Sequence, residues 1–235
     1  MSALAPLAED WEGALAIVAH PDDLEYGAAS VIARWTSQGK QVAYLLATHG
    51  EAGIDTLAPD ECARVREAEE RASAAEVGVH AVTFLDHADG LIEYGLPLRR
   101  DFALAIRRQR PDVVVTINHR DSWGPGSFNM ADHRHVGLAV IDAVRDAGNR
   151  WVFTDEDGLE PWSGVRMVLV NGSPEPTHFV DVTATLERGI ASLEQHAAYL
   201  AHVGQDAREF LTSSAAGSGK QCGVEYAATF EVLAL

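Results

Sequence analysis

Apolar positions along the chain fall into short unbroken runs that alternate with stretches of helical spacing. Residues 14–19 (ALAIVA) form the first run, which stops at His20-Pro21-Asp22-Asp23 and reads as a buried strand meeting a polar turn. Helical spacing follows through Ala28, Val31, Ile32 and Trp35, with Gly39 as its stop. The pattern recurs as a strand over 41–47, a charged amphipathic helix over 60–77 closed by Gly78, and a strand over 79–85. A helix over 98–109 is stopped by Pro111, and residues 112–118 (DVVVTIN) form the clearest buried strand of the chain. Beyond it lie a helix over 133–147 ending at Gly148, strands over 166–170 and 177–182, and one long helix over 185–202. The stretch 211–219 (LTSSAAGSG) reads as a surface loop before a last strand over 226–233.

Strands alternating with helices predict an α/β fold: a Rossmann-like, mostly parallel sheet with helices on both faces and right-handed crossovers. No linker or internal repeat interrupts the pattern, so residues 1–235 are expected to form a single domain. In open sheets of this kind ligands bind beyond the carboxyl ends of the strands. The chemistry is therefore sought in 20–25, 48–54, 86–91 and 118–133.

Composition narrows the partners. Hydrophobic residues make up 47% of the 235 positions and charged residues 23%, as in an ordinary globular protein. The formal charge of −17 repels phosphate backbones and anionic lipid, so neither nucleic acid nor membrane insertion is expected. Cys62 and Cys222 are the only cysteines and form no metal-binding pair. The first residues lack the basic start of a secretory signal, and a cytoplasmic location is expected. The sequence leaves homo-oligomers open.

Nucleotide and acyl-serine motifs are missing. The turn after the first strand has no G-x-G-x-x-G, Gly217-Ser218-Gly219-Lys220 lacks the first glycine and the terminal Ser or Thr of a P-loop, and Ala216 spoils a nucleophile elbow at Ser218. His20-Pro21-Asp22-Asp23 instead offers metal-site chemistry. An imidazole and a carboxylate three positions apart in a turn converge on one cation, while the neighbouring carboxylate stays free as a base. The competing role for Asp22 or Asp23 is a cap on the following helix. Asp132-His133-Arg134-His135 brings a second imidazole to the same sheet edge. His133 is the better ligand, because a helical i+2 neighbour lies roughly 200° around the axis, which leaves His135 for packing or solvent. His20, Asp23 and His133 give two nitrogens and an oxygen, a set that suits Zn2+ with one open position.

At this point the chain resembles the PIG-L/LmbE-like zinc-dependent deacetylases. Its A-H-P-D-D signature is Ala19 to Asp23, and its T-x-G-E-x-G turn starts at Thr48. R-x-x-E is Arg66 and Glu69, followed by Gly78-Val79; D-G-L is Asp89-Gly90-Leu91; and Y-A-x-x-F runs from Tyr226 to Phe230. The resemblance implies that His20, Asp23 and His133 hold zinc, that Asp22 is the general base, and that Glu51, Arg66 and Asp89 contact the sugar or its substituents. Each of those three also has an ordinary use as a loop carboxylate, an ion-pair partner or a turn residue. His80, His87, His178, His196 and His202 match nothing in the pattern and are expected to be structural or solvent-exposed.

One departure stands out. The family's late H-x-D-H motif reads Met130-Ala131-Asp132-His133 here, and a thioether cannot donate a hydrogen bond to an oxyanion. His119, at the end of the DVVVTIN strand, is the expected substitute as a second catalytic residue. The function so implied is a zinc amidohydrolase that removes an N-acyl group, acetyl above all, from a small-molecule amino sugar or its conjugate. Its alternatives are an amidase on a larger sugar amide or thiol conjugate, and a glycan-binding protein without turnover.

Overall fold

The computed structural model describes residues 4–154 and 158–235. Ten strands and seven helices follow one another as β1 (Ala5–Pro6), β2 (Gly13–Val18), α1 (Ala29–Ser37), β3 (Gln41–Leu46), α2 (Pro59–Glu76), β4 (Ala81–Phe84), α3 (Leu96–Gln109), β5 (Val113–Ile117), β6 (Ser122–Gly124), β7 (Ser127–Phe128), α4 (Ala131–Gly148), β8 (Met167–Asn171), β9 (His178–Asp181), α5 (Leu186–Glu194), α6 (Ala197–Val203), α7 (Ala207–Cys222) and β10 (Ala227–Ala234). Eight strands form one sheet in the order β1-β9-β10-β8-β5-β2-β3-β4, and β6 and β7 pair separately. All neighbours in the large sheet are parallel except β10, which runs antiparallel to both β8 and β9.

β2 and β5 lie at the centre and pair through Leu15 with Val114 and Ala16 with Val115. Every residue of β5 is buried, as expected for a strand covered on both faces. Helices α3 and α4 pack together over β2 and β5. The rest of the helical layer joins α1 over β3, α5 against α1, α2 and α7, and α7 against β10. From β2 the chain moves outward to β3 and β4, then returns to the other side for β5. That reversal leaves a crevice between the carboxyl ends of β2 and β5, where the turns after these strands meet.

Two expectations fail at the C-terminal end. The single helix expected over 185–202 is broken between α5 and α6, where His196 (ψ 50°) leaves helical geometry and buries its ring completely. Residues 211–219, expected as a loop, belong to α7. The Asp206 side chain accepts from the Glu209 N–H to cap it, Gly223 (φ 76°) ends it, and Ala207, Leu211, Ala215 and Gly219 bury one face at fourfold spacing. Gly219 is small because a Cβ there would run into the Glu225 carbonyl. Serine and glycine content misled the reading because contact with α5 and β10 outweighs their weak helix preference.

Candidate active site

The turn after β2 builds the core of the site. Neither aspartate caps α1, whose first position is Ala28 without a side-chain cap. Asp23 folds back instead, its Oδ2 accepting from the Ala19 and His20 N–H groups at 2.9 Å each. Its Oδ1 is left facing His133 Nε2 at 3.0 Å. His20 Nδ1 lies 3.2 Å from the same His133 nitrogen. These three donors form one compact group with a metal-ligand arrangement.

Partners behind each imidazole turn its lone pair toward that group. His20 Nε2 faces Asp89 Oδ1 at 3.0 Å and Asp132 Oδ2 at 3.2 Å, so its proton belongs on Nε2 and the Nδ1 lone pair points forward. Both carboxylates are themselves anchored: Asp132 accepts from Gly90 and Ile92 N–H, and Asp89 accepts from Ala52 N–H. His133 Nδ1 pairs with Asn129 Oδ1 at 3.1 Å. The Asn129 amide is oriented by donating to the Asn118 and Arg120 carbonyls, so its oxygen accepts and His133 Nε2 is left free. Two imidazole nitrogens and one carboxylate oxygen fit a zinc ion with a fourth position open to the cleft. The electrostatics agree. Burial opposes charging of His20, yet its hydrogen bonds with Asp132, Asp23 and Asp89 raise its pKa well above the usual imidazole value. Burial likewise opposes ionisation of Asp23, but His133 and His20 hold it well below the usual carboxylate range. This pocket favours positive charge where a metal would sit.

Asp22 borders the same cleft but stands outside the ligand group. Its backbone has φ 97°, and its N–H donates to Glu70 Oε2 at 3.2 Å. Burial, with the Asp23 charge adding to it, outweighs the opposing Arg66 and lifts the Asp22 carboxyl to about 6. Arg66, on α2, donates from Nη2 to Asp22 Oδ1 at 3.0 Å and to the Pro21 carbonyl. The Tyr199 ring lies 4.3 Å from that guanidinium, and burial with the neighbouring Asp22 charge pushes its phenol up. Gly53 in the turn after β3 has room for no side chain, because a Cβ would collide with Arg66.

His20, Asp22, Asp23, Arg66, Asp89 and His133 all border one cleft of about 810 Å³. Glu51 does not border it: its Oε1 accepts from the Asp89 N–H at 2.8 Å and its Oε2 from the His49 N–H at 3.3 Å, tying two loops together. Asp89 reaches the cleft but holds His20. His119 is not brought there either. Gly137 of α4 packs under it, and its half-buried ring sits near Glu231, Arg120 and Glu175, where burial lowers its pKa. The reversal of the chain at Asn118, whose side chain bonds Ser122 and Arg120, turns this position away. Met130 lines the cleft as a half-exposed thioether.

Several contributors were missed. His196, expected to be structural or solvent-exposed, is structural: it lies 3.8 Å from Glu25 and 3.7 Å from Glu70 in a fully buried group, and the partners were what the sequence did not show. Asn129, Asp132 and Tyr199 escaped because their roles depend on long-range packing. For Asp132, its place beside a ligand histidine was the one available signal.

Residues 15–144 match the family model described as PIG-L: GlcNAc-PI de-N-acetylase. The chain is 32% identical over 224 residues to a diacetylchitobiose deacetylase of Thermococcus kodakarensis, covering 93% of this chain and 82% of that one. The chain belongs to the PIG-L deacetylase family. A 1D-myo-inositol 2-acetamido-2-deoxy-alpha-D-glucopyranoside deacetylase of Rhodococcus erythropolis is 28% identical over 208 residues, 77% of this chain and 65% of its own length. The solved N,N'-diacetylchitobiose deacetylase of Pyrococcus horikoshii, in complex with an inhibitor, superposes with a TM-score of 0.85 at 26% identity, covering 96% of this chain and 85% of that one. The PIG-L match takes in every residue of the metal group, Asp22 and Arg66, and stops before β8 and α5 to α7.

Proposed function

We propose that the chain is a zinc-dependent hydrolase that removes an N-acyl group, acetyl foremost, from an amino sugar or amino-sugar conjugate. The observation that carries this reading is the convergence of His20 Nδ1, His133 Nε2 and Asp23 Oδ1 on the cleft, each turned there by its own partner, with the Asp22 carboxylate beside them. Zinc held by these ligands would supply a Lewis acid and bring the pKa of a water toward about 7. Asp22 accepts the proton of the attacking water on its carboxylate and returns it to the departing amine nitrogen. A carboxyl lifted to about 6 is ionised at neutral pH yet basic enough for both transfers. Arg66 fixes the rotamer of Asp22 through Oδ1, and Asp89, Asp132 and Asn129 fix the two imidazoles.

The names of the relatives support an amino-sugar substrate, and the free thiols of Cys62 and Cys222 support a reducing, cytoplasmic setting. Among the described residues no helix is long and apolar enough to cross a membrane. A second reading, glycan binding without turnover, is favoured by Met130, which leaves no imidazole at the position where relatives of this pattern carry one. One experiment separates them: purified protein of measured zinc content is offered a panel of N-acyl amino sugars and larger sugar amides, with free amine detected. Release from N-acetyl sugars supports the deacetylase, and release from the larger amides alone makes it an amidase. Binding without release leaves the glycan-binding reading.

A further inference from the structure

The cleft continues well past the metal ligands. Its volume of about 810 Å³ lies toward the upper end of the ~300–1,000 Å³ range of pockets that take drug-sized molecules. The chemistry occupies one end. Elsewhere in the lining, Leu186 of α5, Val203 of α6 and Phe210, Leu211 and Ala215 of α7 make an apolar stretch of wall. His202, Gln205, Ser214 and Ser218 lie between and beside them. Phe210 stands edge-on to the Tyr26 ring at 5.3 Å, and the Tyr26 hydroxyl donates to Gln205, so the aromatic faces rather than the polar tip are left for a ligand.

Exposed apolar side chains rim the cleft both at the α7 wall and on the metal side, where Trp123 lies 5.5 Å from the His133 ring. Of the eleven large hydrophobic side chains exposed among the described residues, Trp123, Met130, Val203 and Phe210 border the cleft. Single exposed apolar residues are ordinary on a protein surface, but a cluster around a concave site marks a ligand surface. The wall also lies outside residues 15–144, the part matched by the family model.

We propose that the amino sugar processed here carries an apolar substituent, of the size of a hexyl or phenyl group, that lies against α7. The substituent is either the aglycone or the N-acyl chain, and both present the same chemistry to the wall. Turnover of such a substrate rests on the deacetylase reading above; the apolar subsite itself does not.

The test uses zinc-loaded enzyme with the methyl and hexyl β-glycosides of N-acetylglucosamine, with N-hexanoylglucosamine as the acyl arm. Burial of the added methylenes should raise kcat/KM by roughly tenfold or more for whichever arm carries the substituent. In Phe210→Ser combined with Val203→Ser, that ratio should fall to near one. Calorimetry with hexyl and methyl β-glucoside, which have no amide to cleave, reads the subsite separately, and the hexyl compound should bind at least roughly tenfold tighter. Tighter hexyl binding with no release of amine from any N-acyl sugar would uphold the subsite and overturn the deacetylase reading. Equal binding of the two glucosides, with methyl, hexyl and N-hexanoyl substrates turned over alike, would overturn the subsite and leave the deacetylase in place.

Discussion

The backbone N–H of Asp22 donates to the Glu70 carboxylate at 3.2 Å, holding Asp22 at φ 97°. A non-glycine residue in that region carries strain of about 1–3 kcal/mol, which surrounding contacts must offset. Glu70 comes from α2, is fully buried, and lies within 3.7 Å of His196. The position of the base therefore depends on a side chain distant in sequence. Glu70→Ala should lower kcat by roughly tenfold, about 1.4 kcal/mol, with zinc content and KM little changed. Glu70→Gln keeps an acceptor oxygen and should retain most of the rate. Steady-state kinetics with metal analysis check both, and equal loss in the two variants would show that the hydrogen bond is not what matters.

In the proposed mechanism the neighbours Asp22 and Asp23 have separate tasks. Asp23→Ala removes the oxygen that faces His133 and should cost the protein its metal. Asp22→Asn should keep metal and fold while losing on the order of 10²-fold or more in turnover. Elemental analysis and rate measurements on the pair decide it, and the opposite pattern would exchange the two roles.

The pH profile follows from the burial of Asp22. Its carboxyl lies at about 6 in the metal-free protein, and a bound cation beside it favours the ionised form. Below its pKa the base is protonated, so kcat/KM should fall on the acid side with an apparent pKa of about 6 or lower. Arg66 stabilises the carboxylate, so Arg66→Met should move that limb to higher pH. A limb that stays put in Arg66→Met, or moves down, contradicts the assignment of Asp22 to it.

Met130 lines the cleft, whereas His119, expected to replace the missing imidazole, does not. Since His119 lies away from the cleft, His119→Ala should leave kcat within about twofold. Met130→His adds a donor at the mouth of the site and should raise the rate on N-acetyl substrates. One well-placed oxyanion donor is worth about 2.7–4 kcal/mol, which sets the ceiling on the gain. Rates for the two variants and their combination check this; a large loss in His119→Ala would restore that residue to the mechanism.

The sheet was legible because β2 and β5 are short, buried runs, apolar but for Thr116, and bounded by polar turns. The convergence of His20, Asp23 and His133 was legible because His20 and Asp23 share one turn and His133 lies in the first turn of the helix after the strand beside it. What the sequence hid was supplied by packing at a distance. His119 follows β5 at the right edge, yet Gly137 and the Asn118 turn set its direction. For His196 the sequence left open whether it is structural or solvent-exposed, because its partners Glu25 and Glu70 lie on other elements. α7 looked like a loop because its helix rests on contact with α5 and β10 and on the Asp206 cap, while its serines and glycines point to a turn.

The central claim is that catalysis runs through a metal held by His20, Asp23 and His133. It is tested most directly by titrating zinc into chelator-stripped protein while following acetate release from an N-acetylglucosamine glycoside. The account predicts no release from the stripped protein and a rate that saturates at one equivalent of zinc per chain, with no recovery in the His20→Ala, His133→Ala double variant. A full rate in the stripped protein, or recovery by zinc in that double variant, would contradict it.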